Sequence, residues 1–221
     1  MSTTTNTPTI AQKPRINTVT LVQLALLSAL IIVLASTPLG YINLGFISAT
    51  TIHIPVILGA ILLGPKAGAF LGFIFGLTSM VRATMIQLPT SFVFTPFNSV
   101  VEPPRSLWSL VVCFVPRILI GIVAAYVFIW VSKLDKTKVA ACALAGFLGS
   151  MTNTILVMGF IYIFFGPAYA NANSIELDAL LGTIMTTVVG GVGVPEAIAA
   201  AVLSALVGRA LLSIYKKAKL A

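Results

Sequence analysis

Four polar side chains stand out because they interrupt stretches of sequence that are otherwise strongly apolar. Arg82 follows one apolar stretch, and Arg117 lies inside or at the start of another. Asn153 is the centre of a Thr-Asn-Thr sequence within a third stretch, and Glu196 follows the sequence Gly-Gly-Val-Gly-Val-Pro. Guanidinium groups bind carboxylates through paired hydrogen bonds, and an asparagine amide both donates and accepts. These residue types suggest a binding site for a small organic anion.

Motifs of enzyme chemistry are weak by comparison. His53 is the only histidine in the sequence, which excludes two-histidine metal sites and most histidine relays. The segment 59–66 resembles a phosphate loop only superficially, because Pro65 precedes Lys66 and no Ser or Thr follows it. Cys113 and Cys142 lie inside apolar stretches and are typical of small core residues. We therefore predict no catalytic residue, no metal site, no cofactor bound by this chain and no enzyme activity.

The composition excludes a soluble globular protein. Of the 221 residues, 58% are hydrophobic and 8% are charged, whereas soluble domains have about 25% charged residues. The mean hydropathy is +1.08, which also excludes disorder. The net charge of +8 is typical of basic cytoplasmic loops in a membrane protein, so we predict no nucleic-acid partner. The length suits one bundle of about six spans.

Apolar stretches and their breaks predict an all-α integral membrane protein with six transmembrane helices. Span four contains Pro116, which either interrupts the helix or begins it. Residues 179–189 are apolar, but Gly190, Gly191, Gly193 and Pro195 predict a broken helix that restarts near the proline. Spans two and three are short for a bilayer. The predicted spans are 18–37, 51–63, 67–81, 107–131, 139–165 and about 195–213, with loops at 39–50, 82–106 and 166–178.

Basic residues are distributed unevenly over the two sides of this bundle. An even number of spans places both termini on one side, with ten basic residues, and leaves Arg82, Arg105 and Arg117 for the other side. The positive-inside rule therefore predicts cytoplasmic termini and a long extracellular loop between helices three and four. The predicted organisation is a mobile cytoplasmic tail (1–17), a membrane domain (18–215) and a basic cytoplasmic tail (216–221). The ten residues are Lys13, Arg15, Lys66, Lys133, Lys136, Lys138, Arg209, Lys216, Lys217 and Lys219.

The long loop and two faces of small residues are further candidates. The loop 82–106 contains four prolines, and its apolar residues predict that it packs over something. These apolar residues are Phe92, Val93, Phe94 and Phe97. Asn98 in this loop is a candidate to close over a ligand. Small residues at four-residue spacing let helices approach closely. For Gly68, Gly72 and Gly76 we favour packing inside the bundle, and for Ala25 and Ala29 internal and intermolecular contact are both open.

Each candidate site residue also has a purely structural interpretation. Arg82 can extend toward lipid headgroups, and Arg117 can pair with Glu102 or Glu196. Asn153 can hydrogen-bond to a neighbouring helix. Glu196 can favour the dipole at a helix start. These alternatives remain open on residue types alone.

Several segments together resemble the substrate-binding S components of energy-coupling factor (ECF) vitamin transporters, most of all the pantothenate-type members. The resemblance runs from about residue 20 to residue 215, and the order of the motifs agrees with the family. The segments are TIHIPVILG (51–59), LGPKAGA (63–69), FGLTS (75–79), PRIL (116–119), TNT (152–154) and GVPEAI (193–198).

The resemblance implies a six-helix subunit that binds a water-soluble vitamin from outside with high affinity. A membrane-embedded T component and two cytoplasmic ATPases, which hydrolyse ATP, would supply the energy. It also implies that Ala25 and Ala29 form the face that docks on the T component. The predicted ligand shell is Arg82, Asn98, Arg117, Asn153 and Glu196. The alternative function is a stand-alone secondary carrier for a small organic anion, driven by an ion gradient, with Glu196 as its coupling acid.

Overall fold

The computed structural model describes residues 18–43, 48–97 and 106–218, and for residues 42, 43, 48, 49, 187 and 215–218 it describes the backbone alone. The predicted tail 1–17 and the candidate Asn98 lie outside the described residues, as do Glu102 and Arg105. The helices are α1 (Thr18–Ser36), α2 (His53–Leu63), α3 (Pro65–Met85), α4 (Trp108–Val131), α5 (Val139–Ala172), α6 (Leu177–Thr183) and α7 (Val194–Ala218).

The described part of the chain is a helical bundle, as predicted. Five helical stretches are long and apolar enough to cross a membrane: α1, α3, α4, α5 and the run from α6 into α7. Helix α2 has 11 residues, so it spans about 16 Å. It packs against α1, α3, α4, α5 and α7, and nearly all of its side chains are buried. This short helix is therefore the centre of the core.

A two-stranded antiparallel hairpin follows α1, within the segment 39–50 that the sequence predicts to be a loop. Strand β1 (Tyr41–Asn43) pairs with β2 (Ser48–Thr50), with Tyr41 opposite Thr50. The backbone N–H of Thr51 donates to the carbonyl of Gly40 and extends this pairing toward α2. The hairpin thus forms the connection between α1 and α2 at one end of the bundle.

The prediction of a short third span is wrong. Helix α3 has 21 residues, because Pro65 suits a first helical position and the chain continues as helix past Val81. The polar residues beyond Val81 find partners there: the Arg82 guanidinium lies over a tyrosine ring, and Thr84 Oγ1 is 2.7 Å from Thr95 Oγ1. Polar residues therefore do not end this helix.

Helix α4 runs through Pro116 without a break, so the alternative start at this proline is wrong. A proline inside a helix removes the N–H that would bond the carbonyl four residues earlier. That carbonyl belongs to Val112, and Arg117 Nη1 donates to it at 2.7 Å. The side chain that follows the proline therefore satisfies the carbonyl that the proline leaves free.

The predicted loop 166–178 is largely helical, because α5 continues through Pro167 to Ala172. Tertiary packing explains the difference, since Ala170 is buried against Leu180 and Ile184 of the next helical run. The helix ends where Ser174 has a φ of 56°. The backbone N–H of the next residue then donates back to the carbonyl of Ala170 at 2.9 Å.

The predicted break at the glycines before Glu196 is also wrong. Residues Ile184–Gly193 form a π-helix that joins α6 to α7 without interruption. The N–H of Val194 bonds the carbonyl of Val189, five residues earlier, as this wider turn requires. An apolar environment favours such a solution because every backbone polar group needs a partner. The glycines therefore widen the helix and do not break it.

Candidate ligand-binding site

A partly open cavity lies at the end of the bundle that the hairpin covers. It encloses about 480 Å³ of empty space, a volume that includes its opening to solvent. Helices α4, α5 and α7, the π-helix, the hairpin and the segment after α3 all contribute to its wall. The lining residues are Thr50, Phe94, Arg117, Asn153, Thr154, Val157, Met158, Val188, Val192, Gly193 and Glu196.

Arg117 is the buried cation of this cavity, with 6% of its surface exposed. Its carbon Cζ lies 5.0 Å from the ring centre of Phe94 and 5.6 Å from that of Phe75. Its Nε is buried and has no hydrogen-bond partner in the described part of the chain. Among the described residues, no carboxylate oxygen lies within 4.0 Å of a nitrogen of this guanidinium. A buried charge without a counter-ion is costly, so this group is suited to bind an anion.

Asn153 contributes an amide to the same cavity. Its Oδ1 is buried and has no hydrogen-bond partner among the described residues. Thr154 follows it, and Gly193 of the π-helix packs directly on the Thr154 side chain, where a Cβ would lie 2.6 Å from Cγ2. The close approach of these two elements fixes the wall beside Asn153. An unsatisfied buried carbonyl of this kind is suited to accept an N–H or O–H from a ligand.

Glu196 lies in the first turn of α7 and is half-buried at the cavity wall. The backbone N–H of Thr50 in the hairpin donates a hydrogen bond to Glu196 Oε1. This contact joins the end of β2 to the last helix. The structure therefore gives Glu196 a position in the wall, together with a bond that orients one of its two oxygens.

The segment after α3 supplies the aromatic cover of the cavity. Ser109 Oγ donates to the carbonyl of Phe92 at 2.7 Å and fixes this segment on the start of α4. Phe92 and Val93 are buried beside α5, and Phe94 faces the cavity. The prediction that this segment packs over something is confirmed for these three residues, whereas Phe97 is exposed.

Arg82 is not among the residues that line the cavity. Its Cζ is 4.4 Å from the ring centre of Tyr41, and the Tyr41 hydroxyl is 2.9 Å from Ser79 Oγ. Burial raises the pKa of Tyr41 above its ordinary value of 10.0, so the phenol stays neutral in this contact. Arg82 thus holds the first strand of the hairpin on α3, and its contact with a ligand stays a prediction.

Comparison with known proteins identifies the family to which this arrangement belongs. Residues 19–208 match the family model described as the substrate-specific component of ECF transporters. The chain belongs to this family. It is therefore an S component, a multi-pass membrane protein that provides the substrate specificity of a transporter.

Two named relatives of this S component are bacterial transporters. The pantothenic acid transporter PanT of Lactococcus lactis subsp. cremoris (strain MG1363) is 42% identical over 142 residues, which are 64% of this chain and 68% of that protein. The pantothenate transporter PanT of Leuconostoc mesenteroides subsp. mesenteroides is 29% identical over 188 residues, which are 81% of this chain and 85% of that protein.

Sequence reasoning missed part of the wall of the S component cavity. Along α5, Asn153 and Val157 are four residues apart, as are Thr154 and Met158, and this spacing could have located the apolar part of the wall. Val188 and Val192 could not be found in this way, because the π-helix changes the period of the face. The role of Thr50 depends on its backbone N–H, which no residue type reveals.

Proposed function

We propose that this S component binds pantothenate, or another small carboxylate vitamin, and serves as the substrate-binding subunit of an ECF importer. Pantothenate carries a carboxylate at one end, an amide in its middle and hydroxyl groups at the other end. Arg117 suits the carboxylate, and Asn153 suits the amide. The names of the two PanT relatives support the same vitamin.

The single observation that carries this proposal is the buried guanidinium of Arg117. One of its nitrogens is held by the Val112 carbonyl, and its Nε has no partner in the described segments. Rings on two sides shield the charge from water. In such surroundings a carboxylate ligand gains a strong charge-assisted hydrogen bond, whereas a neutral ligand leaves the charge uncompensated.

The partners of this subunit are proposed from the family and from the surface of α1. Ala25 and Ala29 are exposed on α1, beside the exposed apolar residues Val22, Leu26 and Val33. A face of small residues allows close contact with another membrane helix. We assign this face to a membrane-embedded T component, which in turn assembles with two cytoplasmic ATPases.

The orientation in the membrane follows from the position of the lysines. The cavity opens at the end where the hairpin and Phe94 lie. At the other end of the bundle, the start of α3 and the turn after α4 carry several basic residues. Loops rich in basic residues remain in the cytoplasm. The cavity therefore faces the outside, and with six spans both termini are cytoplasmic. These basic residues are Lys66, Lys133, Lys136 and Lys138.

Isothermal titration of the purified chain tests the proposal. We expect 1:1 binding of pantothenate by the wild type and a loss of at least about 100-fold in affinity for Arg117→Gln, because a buried charged hydrogen bond is removed. Arg209→Gln is the matched control, since Arg209 is exposed on α7 far along the helix from Glu196, and it should retain affinity within about threefold. Equal affinities of the wild type and Arg117→Gln would overturn the proposal.

Uptake experiments separate the proposed importer from an ion-driven carrier. Cells that produce the chain with a T component and ATPases should accumulate labelled pantothenate, and depletion of ATP should abolish this uptake. Cells that produce the chain alone should not accumulate the vitamin. Uptake by the chain alone that an ionophore abolishes and ATP depletion does not affect would contradict the assignment.

A further inference from the structure

Two opposite charges line one cavity of this protein without pairing with each other. Arg117 projects from α4 and Glu196 from the first turn of α7, and both contribute to the wall. Among residues 18–43, 48–97 and 106–218, no carboxylate oxygen lies within 4.0 Å of a guanidinium nitrogen. Opposite charges attract each other more strongly in apolar surroundings than in water, and here the helices that carry them keep them apart. The cavity therefore offers a ligand one cationic end and one anionic end.

The two oxygens of Glu196 have different surroundings. Oε1 accepts the backbone N–H of Thr50, whereas Oε2 accepts no hydrogen bond from the described residues. An ionised carboxylate accepts hydrogen bonds and donates none, and it repels another carboxylate. While Glu196 is ionised, its partner in a ligand is therefore a donor such as a hydroxyl group, and the carboxylate of the ligand lies elsewhere.

We propose that Glu196 accepts a hydrogen bond from a hydroxyl group of the ligand and thereby sets the direction in which the vitamin binds. The carboxylate end lies at Arg117, and the hydroxyl-bearing end lies at Glu196, next to Thr50 and the hairpin. Asn153 Oδ1, which is buried without a partner in the described chain, accepts the N–H of the amide that joins the two ends. This inference rests on the proposed function and adds the orientation and the selection for hydroxylated acids.

A purely structural role for Glu196 makes a different prediction. If the carboxylate only holds the hairpin through Thr50, its removal weakens all ligands by the same factor. If it also accepts a hydrogen bond from a ligand hydroxyl, its removal weakens hydroxylated ligands more than ligands without hydroxyl groups. Comparison of ligands within each variant therefore separates the two roles.

Three compounds provide this comparison: pantothenate, its analogue without the hydroxyl groups of the acyl half, and pantothenol, in which an alcohol replaces the carboxylate. Their affinities are measured by titration for the wild type, Glu196→Ala and Arg117→Gln. The wild type should bind the analogue without hydroxyls about 10- to 100-fold more weakly than pantothenate. Glu196→Ala should reduce this ratio to about one- to threefold and retain the preference for pantothenate over pantothenol. Arg117→Gln should lose the preference for pantothenate over pantothenol and retain the preference for pantothenate over the analogue without hydroxyls.

Several outcomes would overturn the orientation. Full discrimination against the analogue without hydroxyls in Glu196→Ala would remove Glu196 from the hydroxyl contact. Loss of the preference for the carboxylate in Glu196→Ala, but not in Arg117→Gln, would reverse the direction of binding. Glu196→Leu, which keeps much of the side-chain volume but offers no hydrogen bond to a hydroxyl, repeats the comparison if Glu196→Ala does not fold. Failure of the proposed function has a distinct signature, because the wild type would then bind none of the three compounds and both proposals would fall.

Discussion

Gly72 of α3 lies directly against the backbone carbonyl of Arg117 in α4, so closely that a Cβ at this position would overlap it. One turn earlier, Gly68 of α3 and Gly121 of α4 make a similar backbone contact. Two helices can approach in this way only where small residues leave no side chain between their backbones. The packing of α3 on α4 therefore determines the position of the Arg117 backbone, from which its guanidinium extends to the site.

Gly72→Ala is expected to lower stability and affinity together. The added methyl group overlaps the carbonyl of Arg117, and such overpacking costs about 1–3 kcal/mol. The displaced helix also moves the guanidinium from its position in the cavity. Thermal unfolding in detergent and titration with pantothenate measure the two effects.

Gly159→Ala is the matched control, since a Cβ there meets nothing within 4 Å. In the interior of helix α5 this change should keep or raise stability by up to about 1 kcal/mol and leave affinity unchanged. Equal behaviour of the two variants would contradict the role of the close contact.

Pro116→Ala is expected to raise stability while it weakens binding. Alanine is favoured over proline inside a helix by about 3 kcal/mol, which exceeds the roughly 1.6 kcal/mol lost with two buried methylene groups. The new N–H competes for the Val112 carbonyl, which now holds Arg117 Nη1. Affinity for pantothenate should fall about tenfold as the melting temperature increases. A variant that is more stable and binds equally well would show that Pro116 does not position Arg117.

Sequence reasoning located the polar residues of the site better than the elements that carry them. Arg117, Asn153 and Glu196 were found because their types are rare inside apolar stretches, and the structure brings all three to one cavity. The close packing of the α3 glycines was also predicted and is confirmed. Helix ends were predicted less well, because they depend on contacts between elements that are distant in sequence.

Two helix-breaking signals were misread for the same physical reason. The loop predicted at 166–178 and the break predicted at the glycines before Glu196 both follow when only local propensity is considered. In apolar surroundings a broken helix would leave backbone groups without partners. The chain instead keeps α5 intact to Ala172 and widens the later run into a π-helix.

Ala25→Trp is expected to prevent assembly without affecting ligand binding. The bulky ring would separate α1 from a partner helix, and it lies far from the cavity wall. Affinity purification should recover the chain without the T component and ATPases, while titration with pantothenate gives the wild-type affinity. Ala199→Trp makes the same substitution at an exposed alanine of α7 and should leave assembly intact. Normal assembly and uptake with Ala25→Trp would show that the Ala25 and Ala29 face is not the docking surface.

Two exposed leucines provide a matched test of membrane orientation. Leu39 follows α1 on the cavity side and is 68% exposed, and Leu134 follows α4 at the other end and is 88% exposed. Cysteine substitutions at these positions can be labelled selectively, because Cys113 and Cys142 are buried. A membrane-impermeant maleimide added to intact cells should label Leu39→Cys, and it should label Leu134→Cys only after lysis. The reverse pattern would place the cavity on the cytoplasmic side.

Mass spectrometry of the small molecule released from the purified chain tests the ligand assignment most directly. The chain is produced in cells grown with several water-soluble vitamins, purified in detergent and then denatured to release what it holds. We expect pantothenate from the wild type and none from Arg117→Gln, because the buried guanidinium binds the carboxylate. Recovery of a neutral or cationic vitamin, or equal recovery of pantothenate from the two proteins, would contradict the assignment of the cavity to a carboxylate vitamin held by Arg117.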